Sequence, residues 1–462
     1  MRHLPRLASV ALWLAACFNP AIAAEEPSAD EQMLRALYTA ALTTSPAYEQ
    51  LRELTTQFPG RLSGSKSLVG AVRWGEAVLQ ATGADRTELQ PVMVPHWERG
   101  ARESVRYFTR QFVSPAPLSA VALGGSVPTP AGGLTAPVVE LQALDALKTT
   151  DVKGKIVFFN RPMNPVHVVP GKAYGEAGDQ RSQGPAEAVK YGAVGVLVRS
   201  LTHARDDFPH TGNTSYPAEG PRIPGAALST IAADNLSAAL KLDPALTVEM
   251  KINSRWLEDA LSHNVIGEIK GSAFPEKVIL IGGHLDSWDI APGAHDDGTG
   301  CVQSIEVLRL LKAVGYQPRH TIRVVLFTNE ENGLRGGAAY STLAKERKEI
   351  HVLALETDSG GFQPRGFNLG NPGGDAHLRA ARWLKLFEPY GIYYFQKGTG
   401  GADVGPLLAH GTTVAGLQPD SQRYFDIHHT VEDSFDKVNK RELELGAAAM
   451  AALVYLVDQH GL

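Results

Sequence analysis

Acidic and imidazole side chains recur in five short groups in the C-terminal half of this 462-residue chain. The groups are His284 with Asp286, Asp296, Glu330 with Glu331, Asp358, and His428 with His429. Imidazole nitrogens and carboxylate oxygens form a donor set that suits Zn²⁺. Each group alone is ordinary, because an Asp often caps a helix and a Glu pair often lies in solvent. Carboxylates that converge repel one another and are costly to desolvate, so their convergence predicts bound cations.

The segments between these groups predict that the groups meet at one edge of a sheet. Continuous apolar runs at residues 278–281, 323–327 and 352–355 each end just before one of the groups. Residues 300–314 and 334–348 have helical spacing and separate the runs. Short buried strands that alternate with helices predict an α/β fold, with a mixed, mostly parallel sheet covered by helices on both faces. Ligands bind beyond the carboxyl ends of such strands, and so many carboxylates there favour two metals that share one of them.

Changes in composition divide the chain into four predicted segments. Residues 1–23 have the pattern of a signal peptide, and residues 24–114 form the first part of the main domain, with helical periodicity at residues 30–54. Residues 115–255 are rich in Gly, Pro and short apolar runs, which predicts an inserted β-rich domain. Residues 256–462 carry the acidic and imidazole groups and complete the main domain.

Charge, cysteine content and hydropathy exclude several classes of protein. The formal net charge is −5, so the chain has no surplus of Lys and Arg to bind nucleic acid. The two cysteines, Cys17 and Cys301, are too few for a disulfide framework or a Cys-based zinc site. After the N-terminal segment, no apolar run is long enough to predict a membrane span.

The N-terminal segment predicts export to the periplasm or the extracellular space. Arg2 and Arg6 precede an apolar run, and residues 21–23 (Ala-Ile-Ala) form a small-x-small cleavage site. Residues 14–17 (Leu-Ala-Ala-Cys) also fit a bacterial lipobox, which would anchor the chain through a lipid on Cys17. We favour the soluble exported form, because an acidic start follows residue 23.

The order of the acidic and imidazole groups resembles that of the M28 family of di-zinc exopeptidases. Residues 282–289 (GGHLDSWD), 356–360 (ETDSG) and 424–429 (YFDIHH) carry the resemblance, which covers nearly the whole mature chain. Residues 209–212 (PHTG) and 223–226 (IPGA) of the predicted insert resemble a protease-associated (PA) domain. The resemblance implies a zinc-exopeptidase fold with a PA-like insert, two Zn²⁺ ions per chain, and dipeptides or short peptides as substrates.

The resemblance also implies a ligand role for five residues. They are His284 and Asp358 for one zinc ion, Glu331 and His429 for the other, and Asp296 as the bridge between the two ions. His429 is preferred to its neighbour His428, because the ligand in this family precedes a Thr or Ser, here Thr430.

The implied reaction is hydrolysis of a peptide bond by a hydroxide that bridges the two ions. Glu330 would be the general base, which takes a proton from water and passes it to the leaving amine. Asp286 would accept a hydrogen bond from the far nitrogen of His284 and so fix the tautomer of that ring. Aminopeptidase, carboxypeptidase and dipeptidase activity all remain open.

Several further residues have open roles. Asp403 lies in residues 400–404, which resemble the family's loop near the substrate pocket, so it is a predicted substrate-binding residue or else a helix cap. His295 stands where small or apolar residues are common in the family, and it is either a spectator or a contact for solvent on a metal. His210 and Tyr216 are candidates in the insert. Because relatives in the family are dimeric, a homodimer is also expected.

Two other functions are compatible with the same pattern. One is a di-zinc amidohydrolase or cyclase-like enzyme that acts on non-peptide amides. The other is a binding protein without catalytic activity. Inactive relatives lose metal ligands, whereas all five implied ligands and the implied base are present here. The binding-protein hypothesis is therefore disfavoured.

Mass spectrometry of the mature N-terminus tests the predicted export signal. We expect the exported chain to begin just after residue 23, because signal peptidase cleaves after the small-x-small site. A mature chain that begins with a diacylglyceryl-modified Cys17 would contradict this prediction and place the protein on a membrane surface.

Overall fold

The computed structural model describes residues 26–110 and 114–462, which form two eight-stranded sheets with helices. The strands are β1 (Arg86–Glu98), β2 (Ser104–Phe108), β3 (Ala116–Leu118), β4 (Ala120–Ala122), β5 (Leu134–Leu141), β6 (Ile156–Phe159), β7 (Gly195–Arg199), β8 (Gly225–Leu228), β9 (Thr247–Lys251), β10 (Arg255–Ile269), β11 (Phe274–His284), β12 (His320–Phe327), β13 (Ile350–Glu356), β14 (Pro364–Gly370), β15 (Tyr394–Lys397) and β16 (Thr413–Pro419). The α-helices are α1 (Ala29–Thr44), α2 (Ala47–Gln57), α3 (Lys66–Ala81), α4 (Pro170–Ala177), α5 (Asp179–Ser182), α6 (Gly184–Ala188), α7 (Thr230–Leu242), α8 (Thr299–Ala313), α9 (Arg335–Glu346), α10 (Ala376–Ala380), α11 (Leu384–Phe387), α12 (Tyr424–Ile427) and α13 (Lys440–His460). The predicted signal segment and Cys17 lie outside the described residues.

The first sheet has the strand order β1-β10-β12-β11-β13-β16-β14-β15. Its four central strands, β12, β11, β13 and β16, are parallel, whereas β10 and β14 run antiparallel to them on either side. Side chains of β11 alternate between two cores: Ile279 and Ile281 pack with the side of α1, α2, α8 and α13, and Val278 and Leu280 pack with the side of α9. The predicted mixed sheet with helices on both faces is therefore confirmed.

The helical periodicity at residues 30–54 belongs to two helices rather than one. Helix α1 ends at Thr44, and α2 begins immediately after Pro46. A proline has no backbone N–H and clashes with the preceding turn, so it is tolerated at the start of a helix but not inside one. Among the residues that the structure describes, no helix is both long and apolar enough to cross a membrane.

The second sheet is built from residues 104–251 and has the order β3-β2-β9-β5-β6-β7-β8-β4. Strands β5, β6, β7 and β8 are parallel. Strand β9 runs antiparallel to β5, and β2 in turn runs antiparallel to β9. Strand β2 lies before the predicted boundary at residue 114, yet its ladder to β9 draws it into this sheet. That residues 115–255 form a PA-like domain stays a prediction.

The region of the second sheet contacts the loops that carry the predicted ligands. The buried guanidinium of Arg99 donates to the carboxylate of Asp289 (2.7 Å) and to the main-chain oxygen of Ala122 in β4 (2.6 Å). The main-chain N–H of Thr211 donates to the carbonyl of His429 (2.9 Å). These contacts hold the loop around residue 211 beside one of the predicted ligands.

Arg61, which follows α2, is fully buried beneath the loop between β11 and α8. Its guanidinium donates to the main-chain oxygens of Leu285 (2.7 Å), Pro292 (2.6 Å) and Gly293 (2.9 Å). Burial lowers the pKa of Arg61, because removal from water disfavours the charged form. The side chain ties the end of β11 to the segment just before Asp296.

Replacement of Arg61 with Met tests this tie. We expect the free energy of unfolding to fall by about 3 kcal/mol or more, because three buried carbonyl oxygens lose a charged donor. Urea denaturation measures the change. Arg52→Met is the matched control, since that side chain is exposed on α2 and, among the described residues, forms an ion pair with Glu49 alone. Equal losses in the two variants would show that Arg61 does not support the loop.

Candidate metal centre

Most of the predicted ligands lie at or after the carboxyl ends of the parallel strands β11, β12 and β13, whereas His429 follows β16 and α12. Because β11 and β12 pair in parallel register, His284 at the end of β11 lies beside Phe327 at the end of β12. The carboxylate of Asp286 accepts the main-chain N–H groups of Glu330 (3.0 Å) and Glu331 (3.3 Å). The loops after two neighbouring strands are thereby held together at the edge where the site lies.

Asp296 lies at the centre of the group, in the loop between β11 and α8. Its Oδ1 is 3.1 Å from His284 Nε2, and that nitrogen is 3.6 Å from Asp358 Oδ1. Its Oδ2 is 3.1 Å from His429 Nε2, and that nitrogen is 3.2 Å from Glu331 Oε2. The structure thus brings the five implied ligands together, with one oxygen of Asp296 directed to each pair.

His428 also approaches this group. Its Nε2 is 3.4 Å from Asp296 Oδ2, so His428, His429 and Asp296 can together surround an ion. The two imidazole rings are stacked 3.5 Å apart. Of the two histidines, however, His429 is the one that also meets the Glu331 carboxylate. The geometry therefore favours His429 as the ligand that shares an ion with Glu331.

The charges of the group favour the binding of cations. Burial raises the pKa of Glu331 to about 7, and the charge of Asp296 adds to the rise. Burial acts to lower the pKa of His284, yet its contacts with Asp296 and Asp358 raise it well above its ordinary value. The carboxylates therefore favour positive charge at the imidazole nitrogens, which is the charge that metal ions supply.

Two buried carboxylate oxygens in the group have no hydrogen bond. Among the described residues, neither Asp296 Oδ2 nor Glu331 Oε1 accepts a hydrogen bond of good geometry, although both atoms are buried. Buried polar atoms without a partner are rare, because desolvation is not compensated. Imidazole and carboxylate donors with free lone pairs, directed to one place, fit zinc ions.

Hydrogen bonds from the main chain fix the loop that carries Asp296. The carboxylate of Asp433 accepts the N–H groups of His295 (2.7 Å) and Asp296 (3.1 Å). The carboxylate of Asp297 accepts the N–H groups of His284 (3.1 Å) and Gly300 (2.9 Å). Asp297 has no assigned role in the sequence pattern, because its use of main-chain donors depends on contacts that only the folded loop creates.

His295 is directed away from the cluster. Its Nδ1 accepts the N–H of Gly361 (3.1 Å), and its ring stacks on Phe362 at 4.3 Å. Burial lowers the pKa of His295 to about 4, so the ring is neutral at neutral pH. Of the two roles left open, the structure supports that of a packing residue beside Asp296.

Asp286 acts on His284 through its main chain rather than its side chain. The carbonyl oxygen of Asp286 is 2.9 Å from His284 Nδ1, whereas the nearest carboxylate oxygen is 3.8 Å away. A carbonyl only accepts, so Nδ1 carries the proton and Nε2 is left to face Asp296. The predicted tautomer is present, but the predicted acceptor is corrected to the main-chain oxygen.

Asp403 lies in the interior and not in the wall of the cleft. It is 1 % exposed, and its Oδ1 accepts the N–H of Gly337 (3.1 Å). Glu356, at the end of β13, accepts the N–H groups of Asp403 (3.0 Å) and Val404 (2.8 Å). The structure therefore corrects both expectations for Asp403, since its side chain neither lines the cleft nor caps the helical turn at residues 405–410.

The two candidates in the insert, one buried and one half-buried, also lie away from the cleft. His210 is buried, and burial lowers its pKa to about 3. The hydroxyl of Tyr216 donates to the carbonyl of Ile223 (2.7 Å). Neither side chain lines the cleft that contains the acidic cluster. The hydrogen bond of Tyr216 therefore stabilises the loop to which it belongs.

A cleft of about 920 Å³ opens onto the cluster. Asp296, Glu330, Glu331, Asp358 and His429 form part of its wall. The additional wall residues include Tyr174, Arg181 and Asn213 from the second-sheet region, and Tyr394, Gln418 and Tyr424 from the first. Sequence spacing gave no signal for the first three, because folding alone brings the insert to the site.

Comparisons with known proteins agree with the geometry. The model of peptidase family M28 matches residues 264–454. The chain is 34 % identical to carboxypeptidase Q of Bos taurus over 89 % of its length and 85 % of that protein. Carboxypeptidase Q of Homo sapiens is likewise 34 % identical, with the same shares covered. The likeness of the sequence motifs to this family is confirmed.

Solved structures give the same result. The crystal structure of a peptidase M28 precursor from Shewanella amazonensis has a TM-score of 0.88 and 35 % identity, and covers 93 % of this chain and 96 % of that one. A zinc aminopeptidase from Bacillus subtilis shares the fold, with a TM-score of 0.64 and 22 % identity. The match covers 90 % of this chain and 95 % of that one. Because curated relatives above 30 % identity match nearly the whole chain, the protein belongs to peptidase family M28.

Proposed function

We propose that this chain hydrolyses the peptide bond of dipeptides or short peptides with two zinc ions that share Asp296. The observation that carries the proposal is the position of Asp296, with one carboxylate oxygen 3.1 Å from His284 and the other 3.1 Å from His429. A carboxylate between two imidazoles, each with a further carboxylate nearby, provides ligands for two ions.

Each ion has its own set of residues in this proposal. His284 and Asp358 hold one ion, and Glu331 and His429 hold the other, with Asp296 common to both. When bound, the ions polarise the substrate carbonyl and lower the pKa of water. The main-chain carbonyl of Asp286 keeps the His284 ring in the tautomer that leaves Nε2 free to bind.

Glu330 is proposed as the general base. It lines the cleft next to Glu331 but takes no part in the contacts around Asp296. Burial raises its pKa well above the ordinary value; the charge of His284 opposes this rise and that of Asp358 adds to it. A carboxyl group that binds a proton more strongly than usual can accept it from water and then donate it to the leaving amine.

The location and assembly of the protein follow from the sequence in this proposal. Residues 1–23 direct the chain out of the cytoplasm, and the mature chain is soluble. The chain pairs as a homodimer, as the resemblance of its sequence to the family implies. The inserted region at residues 115–255 closes one side of the cleft and limits the length of the peptide that enters.

Replacement of Glu330 with Gln tests the proposed mechanism. The purified protein, loaded with zinc, is assayed on a panel of dipeptides and aminoacyl amides, with and without a chelator. We expect two zinc ions per chain in both the wild type and Glu330→Gln, and a fall in kcat of roughly 10²–10⁴-fold in the variant, because proton transfer is lost and the ligands are kept.

Glu276→Gln is the matched control for this substitution, because Glu276 is exposed on β11 away from the cleft. Its activity and zinc content should equal those of the wild type. Activity of Glu330→Gln within tenfold of the wild type would rule out Glu330 as the base. A single zinc ion in the fully loaded wild type would contradict the bridging role of Asp296.

Replacement of Asp433 with Asn tests the support of the bridging residue. We expect zinc affinity to fall roughly 10- to 100-fold, because the N–H groups of His295 and Asp296 lose a charged acceptor that orients the loop. Competition with a zinc-binding dye measures the affinity. Asp436→Asn, an exposed change three residues away, should leave it unchanged. Equal affinity in both variants would show that Asp433 does not position Asp296.

A further inference from the structure

Arg181, in the short helix α5, introduces a positive charge into an otherwise acidic cleft. Four carboxylates, those of Asp296, Glu330, Glu331 and Asp358, line the same cleft. Among the described residues that line it, Arg181 is the one Lys or Arg. It comes from the second-sheet region, whereas the carboxylates come from the first, so the two charges face the cleft from different parts of the fold.

The guanidinium of Arg181 is bound only to neutral groups. Its Nη2 donates to the hydroxyl of Tyr174 (2.6 Å) and its Nη1 to the carbonyl of Thr211 (3.4 Å). Its Nε is buried and donates to none of the described residues. The neighbouring acid, Asp179, is paired with Arg161 instead. Within residues 26–110 and 114–462, Arg181 thus forms no ion pair with an Asp or Glu, and a partly buried arginine without one is uncommon.

The surroundings hold the guanidinium in place. It lies over the ring of Tyr174, with 5.1 Å between the guanidinium carbon and the ring centre. It also packs on the backbone at Gly212, where a Cβ would lie 2.5 Å from the guanidinium carbon and where φ is +135°. Only glycine suits this position, since a side chain would both strain the backbone and displace the guanidinium.

A short series of contacts joins Arg181 to the candidate metal centre. The Tyr174 ring meets the edge of the His428 ring at 5.2 Å, and His428 stacks on His429 at 3.5 Å. Two intervening side chains, those of Tyr174 and His428, therefore separate the cation from the predicted ligand His429. Arg181 and His429 line the same cleft, so a peptide bound there can contact both.

We propose that Arg181 binds the α-carboxylate of the substrate, so that the enzyme selects dipeptides and very short peptides with a free C-terminus. This inference rests on the proposed peptidase function. The planar guanidinium offers a free carboxylate paired donors, and no other Lys or Arg among the described residues lines the cleft. Arg181 thus fixes the C-terminal end of the peptide in the cleft.

The test compares a dipeptide with the same dipeptide amidated at its C-terminus, on the zinc-loaded enzyme. For Arg181→Gln we expect kcat/KM on the free acid to fall roughly 10- to 100-fold, mainly through KM, because a charge-assisted pair is lost. On the amide we expect a change of less than about threefold, since no carboxylate is present to lose its partner. Arg181→Lys, which keeps the charge without the planar fork, should retain part of the preference for the acid.

Lys172→Gln is the matched control, because Lys172 is an exposed cation on the nearby helix α4 and does not line the cleft. It should leave the acid-to-amide ratio unchanged. Zinc content and thermal unfolding are measured for every variant, and Arg181→Lys carries the test if Arg181→Gln does not fold. Equal losses on acid and amide in the Arg181 variants, or a wild type without preference for the acid, would overturn the proposal. A zinc-loaded wild type that cleaves neither substrate would instead refute the proposed function.

Discussion

Asp296 and Glu331 are buried carboxylates that lie beside further acids, so repulsion between their negative charges is strong. Asp296, Glu331 and Asp358 approach two imidazoles within 3.1–3.6 Å, with Glu330 beside them. Two like charges 4 Å apart repel by about 4 kcal/mol at an effective dielectric constant of 20. Such a group stays together only if cations bind to it and the surrounding backbone is rigid.

The backbone around the group is held by a second set of charged side chains, which face the main chain instead of the cleft. The carboxylates of Asp286, Asp297 and Asp433 accept main-chain N–H groups, and the guanidinium of Arg61 donates to main-chain oxygens. The main chain supplies the hydrogen bonds that these side chains need. By contrast, Asp296 has a buried oxygen that accepts no hydrogen bond from the described residues. This difference distinguishes the acids that hold the backbone in place from the acid that is free to bind an ion.

The region of the second sheet gives the cleft its polarity. The first-sheet region contributes four carboxylates to the cleft wall, together with histidines and uncharged residues such as Tyr394 and Gln418. The inserted region adds Tyr174, Arg181 and Asn213 to the wall, and Arg181 forms no ion pair with an Asp or Glu of the described residues. It is attached to the ligand loops by short contacts, such as that between Thr211 and His429. A movement of the insert would therefore change both the shape of the cleft and the surroundings of a predicted ligand.

The central sheet and the convergence of the acidic and imidazole groups could be predicted from the residues, because parallel strands with acidic ends bring those ends to one edge. The resemblance to a family added a role for each residue. Other features became visible only in the folded chain. It showed that Asp286 uses its carbonyl on His284, that Asp403 is buried, and that Arg181 reaches the cleft. Spacing along the chain predicts which elements are neighbours. Hydrogen bonds and burial depend instead on side-chain positions within a few ångströms, and packing between distant segments of the chain sets those positions.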